Sequence, residues 1–302
     1  MDSNNTSSTK LDVYQIVTDR MIALLEEGTA PWQQPWTNAG MPMNLVSKRP
    51  YRGINLWLLL SLQYERNLFL TWDQLKKIGG SVQQGEHGHV VIYWKTPQKK
   101  EGEEETQKKV PILRYYKVFN IAQCKDIPES FIEPVATKEH EPLLECEAIL
   151  TGMQHCPPIK HKEQHAYYHI AEDYINMPKR KTFKSMEGYY AVLFHELVHS
   201  TGHEKRLNRS TITEMAEFGS DLYSIEELTA ELGSAYLSSY TGILSSVERN
   251  SAAYIKGWVG KLKNDKKFIV QASGNAQKAV DFILNHQPAP ADPKEVEQSE
   301  ML

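Results

Sequence analysis

Residues 195 to 199 read His195-Glu196-Leu197-Val198-His199, an HExxH pentad. On a helix the two histidines lie one turn apart and point the same way, so both rings can hold one metal ion, with Glu196 beside them to handle a proton. Three fixed positions recur by chance in many proteins, so setting decides the weight of the motif. Around it, Tyr189, Tyr190, Val192, Leu193, Phe194, Leu197 and Val198 leave almost no polar face except the one holding the pentad. The run 187–199 therefore reads as a helix packed on most sides, stopped near Gly202. A catalytic zinc takes a third protein ligand. The best source is 223–232, where Ser224 can cap a helix and Glu227 and Glu231 share one face. Glu227 is assigned as the ligand and Glu231 as an acceptor orienting a histidine ring. The rival ligand, His203, ranks behind Glu227 because Gly202 ends the helix and Lys205 stands where a metzincin pattern needs histidine. The chemistry implied is peptide hydrolysis, with Glu196 as general base. Zinc is the expected ion, and manganese or another divalent ion is compatible with the same ligands.

The strand-forming stretch 165–171, just upstream, could pair an extended peptide along its edge. His161, His165 and His169 recur at intervals of four, but on a strand that spacing spreads them along the chain, which argues against a second metal site.

The elements that must position these groups belong to an ordinary globular composition. With 302 residues, 40% of them hydrophobic and 24% charged, the chain suffices for two modest domains with separate cores. Its 3 cysteines include no CxxC pair and fit a reducing cytoplasm. The first ten residues lack the apolar core of a signal peptide, and the run 54–62 is too short to span a bilayer, so a cytoplasmic protein without membrane contact is expected. A net charge of -4 gives no bulk argument for nucleic acid.

Local charge is another matter. Between Asn44 and Lys125 there are 14 Lys or Arg against 7 Asp or Glu, and four of those seven cluster at 101–105, within a hairpin tip. The flanking strands are basic and aromatic, as single-strand binding by backbone cations and stacking rings requires. Composition alone leans toward the plainer alternative, in which the rings are core and the lysines a solvated face. In chain order, Asp12 or a neighbour caps a first helix closed by Gly28, short helices follow near 55–64 and from Thr71, and a strand runs over 90–95. Residues 134–145 read as a linker. Beyond them come a helix from 144, the histidine-bearing strand, the two site helices, and helices near 252–262 and 276–285. The end segments 1–11 and 287–302 are expected to be disordered.

Several segments, in order, carry a resemblance. Asp12-Val13-Tyr14-Gln15, Pro31-Trp32, Pro35-Trp36, Arg49 to Asn55 and Tyr115 to Asn120 resemble the N-terminal domain of ArdC-type antirestriction proteins, which TraC-like plasmid primases share. Phe194 to His203, Phe218-Gly219 before Glu226-Glu227-Leu228, and Asn250 to Gly257 resemble the zincin-like metallopeptidase domain of that family. The resemblance implies an α+β chain of two domains: an N-terminal DNA-binding domain with a β-hairpin (12–133) and a C-terminal zincin-like metallopeptidase domain (146–286). It implies an antirestriction protein of a plasmid or other mobile element that binds single-stranded DNA and acts in conjugation. It agrees with His195, His199 and Glu227 as metal ligands and Glu196 as base, acting on an unidentified peptide substrate. Lys48, Arg49, Tyr51, Arg52, Arg114, Tyr115, Tyr116 and Lys117 are the DNA-contact candidates. Two other readings remain open: a zincin domain that is only a metal-binding scaffold, and a regulatory protease switched by DNA.

Overall fold

The computed structural model describes residues 12–28, 30–33, 40–95, 110–132, 142–214, 220–243 and 252–287. The expected hairpin tip, most of the linker, both end segments except Gln287, Trp36 and Phe218-Gly219 lie outside the described residues.

Helix α1 (Val13–Glu26) starts where the Asp12 carboxylate accepts from the amides of Tyr14 and Gln15, and Gly28, at φ +92°, takes the chain out of it. Strand β1 (Met43–Asn44) and helix α2 (Ile54–Leu60) follow, then β2 (Leu68–Leu70) and α3 (Trp72–Lys77), which opens with a Thr71–Gln74 capping box. After β3 (Ser81–Val82), the long hairpin β4 (His89–Lys95) and β5 (Ile112–Asn120) completes a sheet of order β1-β2-β5-β4. β6 (Cys124–Lys125) pairs with β3. The outer edge of β4 is closed by a side chain: the Asn55 carboxamide accepts from the Ile92 amide and donates to its carbonyl, both at 2.7 Å. Such pairing satisfies backbone groups that an open edge would leave to water.

The second half opens with α4 (Pro142–Gly152) and a three-stranded sheet of β7 (Ile159–Lys160), β8 (Tyr167–His169) and β9 (Tyr174–Asn176), in the order β7-β9-β8. Fully buried Asn176 ties down the β7–β8 loop, accepting from the amides of Lys162 and Glu163 and donating to the carbonyl of His165. Then come α5 (Met186–Ser200), α6 (Ser210–Thr213), α7 (Asp221–Thr241), α8 (Ala252–Asn264) and α9 (Phe268–Ile283). α7 begins earlier than the sequence suggests. Ser220 is its cap, and Ser224 lies inside the helix with its hydroxyl turned back to the Ser220 carbonyl.

The expectation of separate cores is not met. The largest apolar cluster joins Val17 and Met21 of α1, Trp57 of α2, and Ile92 and Leu113 of the hairpin to Leu228 and Leu232 of α7 and Phe268 and Ala272 of α9. A second cluster, including Tyr189, Leu193, Leu197 and Val198 of α5, Ala230 of α7 and Val280 of α9, lies within the C-terminal half. The reason is α7, which buries residues on more than one side and so serves both clusters at once. Polar contacts stitch the same seam: the Trp32 indole donates to the Tyr254 hydroxyl (3.2 Å), Thr18 to the Lys266 carbonyl (2.8 Å), and the Gly53 amide to Gln277 (2.9 Å). No described helix is long and apolar enough to cross a membrane.

Candidate metal centre

Ser185 caps α5 by accepting from the Gly188 amide, which fixes the helical phase of everything after it. His195 and His199 then fall on one face, with ring centroids 4.7 Å apart. α7 crosses that face at close range because Gly233 faces Val198. A β-carbon at Gly233 would sit 2.6 Å from Val198 Cγ2, inside any contact distance. The close approach brings Glu227 to the histidines: its carboxylate oxygens lie 3.7 Å from His195 Nε2 and 3.6 Å from His199 Nε2, while the two Nε2 atoms are 3.1 Å apart. Among the described residues this is the group of three whose ligand atoms gather within 4.8 Å.

The donor set fits a divalent ion. Metal–ligand bonds of about 2.0–2.2 Å at tetrahedral angles put ligand atoms about 3.3–3.6 Å apart, close to the separations of 3.1, 3.6 and 3.7 Å here. Tautomerism agrees. His199 Nδ1 lies 3.1 Å from Glu226 Oε1, and donation there leaves Nε2 as a bare lone pair directed at the point shared with His195 and Glu227.

The acceptor behind His199 is thus Glu226, where the sequence offered Glu231 as the acceptor for one of the two rings. Glu226 is 3% exposed and would not remain ionised alone. Arg209 meets it with two guanidinium contacts, at 2.6 and 3.1 Å, and Thr211 donates its hydroxyl. Burial pushes the Glu226 carboxyl up, but the His199 hydrogen bond and the Arg209 charge outweigh it and hold the group at about 2. Burial likewise works against a charged His199, and the Glu226 carboxylate overrides it, leaving the ring's pKa above its ordinary value. Arg209 also reaches the Val198 carbonyl (2.9 Å) and the Thr201 hydroxyl, so it anchors the end of α5 as well. The approach depends on Gly202, where a β-carbon would lie 2.6 Å from Ile212.

Glu196, 8% exposed, opens with the three candidate ligands onto a cleft of about 590 Å³. Its walls include Ala166, Tyr167, Tyr168, Ile170, Thr211, Ile212 and Tyr223. β8 is an edge strand of its sheet, as an extended partner would require. The Tyr223 hydroxyl hydrogen-bonds to Glu227, and burial followed by that carboxylate's charge pushes the phenol up to about 12. His203 stands apart from the ligand group: its Nδ1 accepts from the Lys205 amide. His161 contacts the Met177 carbonyl, and His169 stacks on Tyr174 at 4.9 Å, so neither joins a metal cluster among the described residues. Nothing in the motifs pointed to Arg209, Thr211 or Tyr223 as part of the site. Glu226 was visible only as one of two adjacent acids.

The DNA-contact candidates do not form one patch. In the hairpin register, Arg114 pairs with Tyr93 and Tyr116 with Val91, so Arg114, Tyr93 and Tyr116 share a face, with the tyrosine rings 5.8 Å apart. Tyr115 and Lys117 lie on the opposite face, where Tyr115 packs against the large core. Tyr51 is 8% exposed and packs edge-on against Phe69. Arg52 is paired with Asp281 of α9, and Lys48 reaches the Phe131 carbonyl. Arg49 is exposed.

Comparison with known proteins places this architecture. Residues 146–275 match the zincin-like metallopeptidase family, and residues 11–119 match the N-terminal domain of the anti-restriction factor ArdC. The metal-free crystal structure of the antirestriction protein ArdC from plasmid R388 superposes with a TM-score of 0.74 at 36% identity, over 91% of this chain and 98% of that one. The chain belongs to the ArdC antirestriction family. The Mn(II)-bound ArdC structure is equally similar, with a TM-score of 0.73 at 35% identity over the same shares of both chains. An uncharacterized Sinorhizobium fredii protein, y4eC, is 31% identical over 94% of this chain and 95% of its own length. The Escherichia coli DNA primase TraC is 32% identical over 91% of this chain, which spans only 27% of that primase. Family and geometry together support a divalent metal at the ArdC-like centre.

Proposed function

We propose that this chain protects transferred DNA from restriction by coupling single-stranded-DNA binding to a metal-dependent peptidase. The observation that carries the peptidase half is the convergence of His195, His199 and Glu227 beside Glu196 in one cleft. When bound, the divalent ion supplies Lewis acidity, acidifying a water and polarising the scissile carbonyl. Glu196 takes the proton and delivers it to the leaving amine, Glu226 holds His199 in its ligating tautomer, and Arg209 keeps Glu226 charged. The two-imidazole, one-carboxylate donor set favours zinc, and the Mn(II)-bound relative supports manganese as an alternative.

The DNA half rests on family membership and on the face formed by Tyr93, Arg114 and Tyr116, a cation beside two rings. Fluorescence polarisation at several stated salt concentrations tests it. Single strands should bind more tightly than duplex, and Arg114→Ala should weaken binding and lower the salt slope by about 0.7. Equal affinity for both forms would remove this half.

One observation favours DNA control of the peptidase. Arg52, in the basic stretch after Lys48, is held by Asp281 on α9, which packs along the ligand-bearing α7. A strand that drew Arg52 away would disturb the helix behind the metal site.

A further inference from the structure

Resting on the peptidase reading, we propose that the cleft selects peptides carrying a bulky apolar or aromatic side chain next to the scissile bond. Besides the histidines and acids, three of the seven wall residues are tyrosines, and their hydroxyls, like that of Thr211, which donates to Glu226, already have partners. Tyr168 donates to Asp173 at 2.7 Å and accepts from Arg206 at 3.0 Å. The Tyr167 hydroxyl lies 3.3 Å from that of Tyr174, and the Tyr223 hydroxyl is bonded to Glu227. With their polar tips occupied, these residues offer the cleft ring carbon. Ala166, Ile170 and Ile212 continue the apolar surface.

The wall is also held in place. Arg206, whose side chain is 1% exposed, pairs with Asp173 and bonds to the carbonyls of Ser200 and His155, so the β8–β9 hairpin is fastened to the end of α5. Tyr168 is thereby fixed over the site before any ligand arrives, which lowers the ordering cost of binding.

Charge argues the same way. The described lining contains no lysine or arginine, so apart from the metal itself an acidic side chain would find no cationic group there and would meet Glu196 and Glu227. An alkylammonium would lose its water against rings whose hydroxyls are already used, and the third carboxylate of the lining, Glu226, is already engaged by Arg209, Thr211 and His199. A benzyl or isobutyl group gains from the same burial. A volume of about 590 Å³ accommodates such a side chain with its flanking backbone.

The test is calorimetric titration of full-length, metal-loaded protein with peptide hydroxamates of one backbone that differ in a single side chain: benzyl, isobutyl, carboxymethyl or 4-aminobutyl. Benzyl and isobutyl should bind at least tenfold more tightly than the two charged forms. Ile170→Asp, at a half-exposed wall position, should shrink that ratio without loss of metal. Four affinities within threefold of one another, or tighter binding of either charged form, would overturn the proposal. Cleavage of the matching peptides is scored separately. Preference without turnover sinks the peptidase reading and leaves the side-chain site standing, whereas turnover without preference does the reverse.

Discussion

At the residue scale, the division of labour between Glu196 and Glu226 makes the two separable. Glu196 touches no described ligand role, so Glu196→Gln should leave bound metal unchanged while peptide hydrolysis falls by about 10²–10⁴-fold, read by elemental analysis beside a peptide assay. Glu226→Gln removes the charge that holds His199 and leaves Arg209 buried without its anion. Metal affinity should fall about 10–100-fold, and stability by about 3–5 kcal/mol, measured by chelator competition and denaturant unfolding. The pH dependence of the metal-free protein follows from the same carboxylate. Its folded pKa of about 2 lies below the ordinary 4.5. Its stabilisation is therefore complete above about 4.5 and is lost as pH falls toward 2. The Glu226→Gln variant should lack that part of the acid slope in a series of melting temperatures. An unchanged slope would mean that the carboxylate is not held this way.

At the element scale, the site is made by the distance between α5 and α7, and Gly233 sets it. Gly233→Ala drives a methyl into Val198, a stiff β-branched side chain with no exposed surface. Separating the helices should cost about 1–3 kcal/mol. It should also weaken metal binding, because Glu227 moves with α7 while both histidines stay with α5. A stable variant that binds metal at wild-type affinity would show that the helices can be spread without parting the ligands. At the other end of the chain, Asp12 caps α1 and pairs with Lys266 at 2.6 Å. Asp12→Ala should cost about 1 kcal/mol. Because its partner lies just before α9, that loss should appear in the unfolding of the whole chain and not only in fraying of α1.

For the whole molecule, the shared core is the dominant fact. A fragment ending at residue 133 would expose the faces of Val17, Met21, Trp57 and Leu113 that meet α7 and α9. Each such side chain contributes about 1.5–3 kcal/mol on burial. The full chain should therefore unfold in a single transition followed by both near- and far-ultraviolet dichroism. The fragment should show weak hydrogen-exchange protection. Two separated transitions would restore the picture of independent domains. Under the proposed DNA-binding reading, the same packing offers a physical route from bound DNA to the candidate metal centre. If Arg52 carries it, saturation with single-stranded DNA should shift metal affinity, and Arg52→Ala should abolish the shift without removing the metal.

Much of this was written in local sequence, because local geometry alone decides it. Helical periodicity puts His195 and His199 on one face whatever surrounds them, and Asp12 and Thr71 sit where their own side chains can start helices. The ordered motifs likewise carried the family. What required the tertiary structure was every choice between near-equivalent candidates. Glu226 and Glu231 are both acids on α7, and only the crossing angle and the buried Arg209 select Glu226 as the partner of His199. Tyr51 and Tyr116 are both tyrosines in basic stretches, yet strand register and packing bury one and leave the other half-exposed. The shared core was beyond sequence reasoning for the same reason: periodicity shows that α7 has apolar faces, but not that one of them meets a helix more than two hundred residues earlier.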